Sequence, residues 1–272
     1  MNVPANNPAS TEGVQTKTVK TKSHRRIAII LLICLIGCSG LLAPAIQAAR
    51  EASRCTTCVY HLRQIGIGLQ CFDAANGSLP PACLCNEKGK PIHSWVALLA
   101  PYVGHYSWRR TYSLKEPWDG PNNSKCHPQS FSEFQCPSVD DPSQVTVDYV
   151  AVVGPDTMWP GHDRVGLHSG NPDTILLIEM PDSDYRCLEP RFPSVEEFMA
   201  KIKSPTGKGI RCIHPRGLAY LTIRGEVRWF PPDTDPETFR RLLKRNPNCE
   251  VIPAQEKIPI VEGWEQSEND SK

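Results

Sequence analysis

No charge of either sign prevails in this chain of 272 residues: thirty Lys and Arg stand against twenty-nine Asp and Glu. A surface without a basic field does not concentrate a polyanion, so no nucleic-acid partner is expected. The motifs that announce common enzymes are missing as well. There is no Gly-x-Ser-x-Gly elbow, no glycine-rich phosphate cradle and no His-Glu-x-x-His pair. No catalytic residue is therefore assigned, and the chain reads as non-enzymatic. No His follows Cys58 directly, which removes covalent haem attachment, and the cysteines lack a thioredoxin-like βαβ setting, so no cofactor is implied. Aromatic residues are few, at 7%. Apolar residues nevertheless reach 40%, enough for one domain of roughly 200 residues with its own core.

The longest apolar run is IAIILLICLIGCSGLLAPAIQAA, from Ile27 to Ala49. Its 23 residues, at about 1.5 Å each, slightly exceed a hydrocarbon thickness of about 30 Å. Lys17, Lys20, Lys22, Arg25 and Arg26 precede it against the single acid Glu12, which places the N-terminus inside. Three readings compete. A cleaved signal peptide lacks small residues at the cleavage point, where Ile46 and Gln47 stand. A lipoprotein signal has a lipobox-like Leu35-Ile36-Gly37-Cys38, with Cys38 as the lipidated residue, but the apolar run continues past it. The expectation is an uncleaved single-span anchor in a bacterial cell membrane, with the head on the extracytoplasmic, periplasmic side.

Twelve cysteines fit that compartment, since disulfides persist where the medium is oxidising. Cys34 and Cys38 lie in the apolar run and ten follow it, an even number that permits full pairing without giving its connectivity. The candidate disulfide residues are Cys55, Cys58, Cys83, Cys85, Cys126, Cys136, Cys187 and Cys212.

Residues 1–26 carry almost no large apolar side chains and read as a disordered cytoplasmic tail. After the anchor, Cys55, Cys58, Leu62, Ile65, Leu69 and Phe72 recur every three or four residues, an amphipathic helix closed by Asn76-Gly77 and Pro80-Pro81. The stretch 80–142 is rich in Pro, Gly and Asn and reads mostly as loop. Strands are expected at 145–153, 174–179, 218–223 and 227–230, the last two as a hairpin around Arg224-Gly225-Glu226. A capping box at Ser194 and Asp235-Pro236 open two further helices. The fold class is α+β, a long N-terminal helix on a small antiparallel sheet with long loop insertions. The domains are the tail at 1–26, the transmembrane helix at 27–49, the head at 50–250 and a disordered acidic tail at 251–272.

Read in order, LLAPAIQAAREASRCTTCVYHLRQIGIGLQCFDAANGSLPPA, the block His93 to Tyr102, EPWDGPNN, FQCPS, DYVAVVGPDTMW and NPDTILLIEM resemble a family. It is the bacterial pseudopilin-like proteins of unknown function, akin to type II secretion pseudopilins and type IV pilins, with a C-terminal His-x9-Asp-Gly signature. The resemblance implies a pilin-like fold and other pseudopilin-like or envelope proteins as partners. Two departures matter. The prepilin cleavage Gly before an aromatic residue, and the Glu four places after that residue, are not present where Arg26 meets Ile27. This implies a chain that escapes a prepilin peptidase. In the signature, His214 and Gly225 are kept, but Arg224 stands where the family has Asp.

Cys55-x2-Cys58, with Cys83-x-Cys85 and His93, has zinc-like spacing, but disulfides are the stronger expectation and no metal ligand is assigned. His214, beside Pro215 at the start of the hairpin, reads as a structural hydrogen-bonding residue. Asp140, Asp141 and Asp148, or Asp233 and Asp235, are loop acids more readily solvated than calcium-bound. Trp95, Trp108, Trp118, Trp159 and Trp229 read mostly as core.

Overall fold

A computed structural model describes residues 16–127, 131–139, 145–205, 208–256, 258–261 and 264, with side chains from His24 onward except at 38 and 41. The chain divides into two compact units, 1–50 and 51–272. The fold is α+β: a long N-terminal helix and small antiparallel sheets, a pilin-like arrangement. Helix α1 (Thr16–Asn76) enters both units. Its start at Thr16 makes 16–26 helical, where the composition reads as a tail.

In the first unit α1 holds a window long and apolar enough to cross a membrane, none of it buried. Ile30, Leu31, Ile33, Leu35 and Ile36 are each at least 60% exposed. Packed soluble units rarely leave such a continuous apolar surface to water.

In the second unit the periodicity holds. Cys58, Leu62, Ile65, Leu69 and Phe72 are fully buried along one face of α1. Gly66 lets this face approach Leu221 closely, because a Cβ there would lie 3.2 Å from that side chain. The helix ends as expected: Gly77 takes φ +73°, and its N–H donates to the Asp73 carbonyl at 2.7 Å.

Strands β3 (Tyr149–Val150), β4 (Ile175–Glu179), β5 (Leu218–Thr222) and β6 (Val227–Phe230) form an antiparallel sheet in sequential order. The β5–β6 hairpin turns at Gly225, with φ +82°. β3 is far shorter than the run 145–153 promises, because its flanks pair elsewhere. Val147 N–H donates to the Tyr185 carbonyl, and Thr146 and Val153 bridge to Arg186 and Ser194. The loop-rich stretch carries a second small sheet, β1 (Cys83–Cys85) against β2 (Pro91–Ser94), and two short helices, α2 (Trp95–Leu99) and α3 (Trp108–Thr111).

Helix α4 (Val195–Ile202) has the full capping box of Ser194 and Glu197. Helix α5 (Glu237–Leu243) starts one residue later than Asp235-Pro236 suggests, with Pro236 at the cap. The C-terminal segment departs most from its expected disorder. Ile252 pairs with Arg164, Ile258 and Trp264 are buried, and the Trp264 indole donates to the Tyr112 carbonyl at 3.1 Å. A buried tryptophan outweighs an acidic composition. Trp95, Trp108 and Trp159 are also buried, while Trp118 and Trp229 are partly so.

Candidate metal centres

Four elements of the second unit bring donor atoms to one point. Cys58 lies on the buried face of α1, Cys136 follows a short turn ending at Phe134, Glu179 closes β4, and His214 precedes β5. All four residues are buried, and their donor atoms lie within 4.8 Å of one another. The Cys58 and Cys136 sulfurs are 3.4 Å apart, and each lies 3.2 Å from His214 Nε2. Glu179 Oε1 is also 3.2 Å from that nitrogen. Zinc bonds of about 2.3 Å to sulfur and 2.0–2.1 Å to nitrogen or oxygen give tetrahedral donor separations of about 3.3–3.8 Å. The quartet is only slightly tighter than that. A sulfur separation of 3.4 Å is far beyond a disulfide bond of about 2.05 Å.

The groups around the quartet fix its tautomer. Glu51 Oε1 lies 2.5 Å from His214 Nδ1; a carboxylate only accepts, so Nδ1 carries the proton. Nε2 then faces two sulfurs and a carboxylate oxygen. One imidazole nitrogen cannot satisfy three such neighbours with a single proton or lone pair, and among the described residues no well-directed hydrogen bond reaches Glu179 Oε1. A cation at their centre would satisfy all four. The other Glu179 oxygen accepts from Ala219 N–H at 3.1 Å, and Asp148 takes the Cys136 N–H at 2.7 Å. Glu51 is itself held by Arg54 at 2.5 Å. Carboxylate, histidine and metal in line is a recurrent way to orient a ligating imidazole.

Electrostatics agree with clustered anions around one imidazole. Burial works against the His214 charge, but Cys58, Glu179 and Glu51 outweigh it and push its pKa up to about 11. The Cys136 contact brings the Cys58 thiol down to about 6, while the same pairing, followed by burial, drives Cys136 upward. Burial raises Glu51, but hydrogen bonds from His214 and Arg54 reverse this and leave it lowered. Gly217 sets the turn after His214. Its N–H donates to the His214 carbonyl at 3.0 Å, its φ is +127°, and a Cβ there would collide with the Phe230 carbonyl.

A second cluster stands apart in sequence. Cys83 and Cys85 of β1 both face His162 Nδ1, at 3.2 and 3.0 Å. Burial pushes Cys83 up to about 12 and also raises Cys85. Cys83 is buried, Cys85 half-buried and His162 exposed.

Several sequence-based expectations change here. Among the described residues no disulfide joins any of the eight candidate cysteines, so the expected pairing is not formed there. Cys126, Cys187 and Cys212 face the Thr111, Thr146 and Ile210 carbonyls instead, and Cys55 lies 3.4 Å from His214 Nδ1. Cys55-x2-Cys58 and Cys83-x-Cys85 serve different clusters. His93 joins neither, since its ring nitrogens reach the Tyr112 hydroxyl and the Leu114 carbonyl. His214, read from the sequence as a structural hydrogen-bonding residue, pairs with Glu51 through Nδ1 and in addition faces Cys58, Cys136 and Glu179 through Nε2. Arg224 is exposed in the hairpin turn. Asp148 is buried, Asp233 and Asp235 are exposed, and Asp140, Asp141 and the Cys38 side chain lie outside the described residues.

Glu179 and His162 escaped the sequence reading. A signal existed for Glu179: a carboxylate ending the otherwise apolar strand ILLIE demands a partner if that strand is buried. His162, in a glycine-flanked loop, gave none.

Residues 47–175 match the family described as "Protein of unknown function (DUF1559)". No curated protein and no solved structure matches the chain. The DUF1559 match spans just under half of the chain. It takes in Cys58, Cys136 and the whole Cys83–Cys85–His162 cluster, and it ends before Glu179 and His214.

Proposed function

We propose that the protein is a membrane-anchored, non-enzymatic, pseudopilin-like structural or interaction protein whose extracytoplasmic head is locked by a zinc-class ion. The ion is held by Cys58, Cys136, Glu179 and His214. The observation that carries the reading is one imidazole nitrogen at 3.2 Å from two sulfurs and a carboxylate oxygen. Four protein donors in a buried tetrahedron leave no position for substrate, which is the pattern of structural zinc. The ligands come from α1, the 131–139 loop, β4 and the entrance to β5, so the ion fastens α1 to the sheet. The exposed apolar side chains of 27–46 support the anchor, and the basic residues before it support a cytoplasmic N-terminus.

Metal analysis of the full-length protein, extracted in detergent, tests the head. Tightly held zinc that disappears in Cys136→Ser, with a melting temperature lowered by a strong chelator, is the expected result. A native chain with Cys58 and Cys136 joined by a disulfide and no metal would overturn it. Protease protection in sealed vesicles tests the orientation: the head should be digested only from the outer side.

A further inference from the structure

We propose that Cys83, Cys85 and His162 form a second metal site, open on one side, which binds and releases a thiophilic d10 cation of the zinc class. It differs from the buried quartet in every residue and stands whether or not the quartet holds an ion.

The geometry points to a ligand set and away from a disulfide. Residues two apart on a strand face the same side, with Cα atoms about 6.6–6.8 Å apart, at the far edge of what a disulfide spans. The β1–β2 register shifts between Leu84 and Cys85, with Ile92 of β2 as the extra residue. Both sulfurs then converge on a single nitrogen, His162 Nδ1, at 3.2 and 3.0 Å. A single nitrogen between two thiols is well placed to share a cation with them.

The histidine is held in place by its backbone. Gly161, at φ +81°, turns the loop, and its carbonyl accepts from Ala82 N–H at 3.0 Å. Three residues after the histidine, the Val165 carbonyl accepts from Leu79 N–H at 2.9 Å, and Asp163 takes the Ala254 N–H at 3.0 Å. The loop is thus tied at Gly161 and Val165 to the segment leading into β1, so the three donors are organised before any ion arrives.

Three donors leave a tetrahedral cation one free position, and the gradient from buried Cys83 to exposed His162 turns that position toward solvent. Two thiolates and an imidazole favour zinc or copper(I) over the hard cations magnesium and calcium. On binding, each thiol loses its proton, and two sulfur lone pairs and one nitrogen lone pair enter the cation's coordination shell; no electron is transferred. The fourth position accepts water or a donor from a partner, which is what a site that hands on its metal requires.

Zinc stoichiometry and release into a chromophoric chelator, measured on the full-length protein in detergent, test this. The wild-type chain is expected to hold two zinc ions, one leaving quickly and one retained. Cys85→Ser and His162→Ala, both at accessible positions, should each abolish the fast-leaving ion and keep the slow one, whereas Cys136→Ser should abolish the slow one only. If both of these variants release zinc as the wild type does, the proposal fails. It also fails if the native 83–85 peptide carries a disulfide, seen as a mass deficit of two hydrogens. Loss of the slow ion alone in the wild type would instead sink the structural reading of the quartet.

Discussion

Among the described residues of the head, His214 Nε2 and His162 each face two thiols, in clusters built from nearly the same side chains. Around His214 Nε2, two thiols are joined by Glu179, and all four residues are buried. Around His162, two thiols have no further His, Cys, Asp or Glu donor in the cluster among the described residues, and the ring reaches solvent. The difference follows from where the chain supplies its ligands. The closed quartet draws on segments far apart in sequence, so an ion there crosslinks the fold and excludes exchange. The open triad draws on one strand and a loop 77 residues further along the chain, so an ion there ties two segments where the quartet ties four, and with one side open it exchanges freely. One donor and its burial thus separate a fastener from a docking point for metal.

Variants can break or sharpen this contrast. His214→Ala should have the largest effect, destabilising the head by about 3–5 kcal/mol in chemical unfolding of the full chain, because it leaves buried charges without a partner. An unchanged unfolding midpoint would place the ion's contribution elsewhere. Gly217→Ala should follow, at about 2 kcal/mol or more, since its φ of +127° and the Phe230 carbonyl exclude a Cβ. It should weaken the slow zinc while sparing the fast one.

Glu51→Gln leaves all four donors in place and removes only the carboxylate on His214 Nδ1. Competition titration should show about 10–100-fold weaker slow-site affinity, equivalent to about 1.4–2.7 kcal/mol. An unaltered affinity would mean that Glu51 does not orient the ring.

The smallest effect is expected away from both clusters. Asp184 is held below the usual carboxylate range by Lys201, against burial, with further help from Arg191. Because its folded pKa is depressed, its contribution is present above the unfolded carboxylate value and lost as pH falls through the folded one. The pair is exposed, so Asp184→Asn should cost at most about 1 kcal/mol at neutral pH, with the difference from wild type closing in acid.

Much of this architecture is legible in the residues, because it rests on local signals. The three-to-four spacing from Cys58 to Phe72, the Ser194 capping box and the glycine turn at Gly225 each specify their element within a few residues. The centres are legible only in part. Cys58, Cys136 and His214 were singled out individually, but composition and spacing do not encode that α1, β4 and the β5 hairpin meet there. Oxidising conditions favour disulfides over a ligand set, and Glu179 is inconspicuous at the end of an apolar strand. Trp264 was hidden in the same way, one aromatic residue in an acidic segment whose average misled.

The most direct test is a zinc X-ray absorption spectrum of the full-length Cys83→Ser/Cys85→Ser protein, in which only the quartet remains. The account predicts two sulfur neighbours at about 2.3 Å and two nitrogen or oxygen neighbours at about 2.0–2.1 Å. Zinc surrounded by nitrogen and oxygen alone, or a protein that retains no zinc, would contradict it.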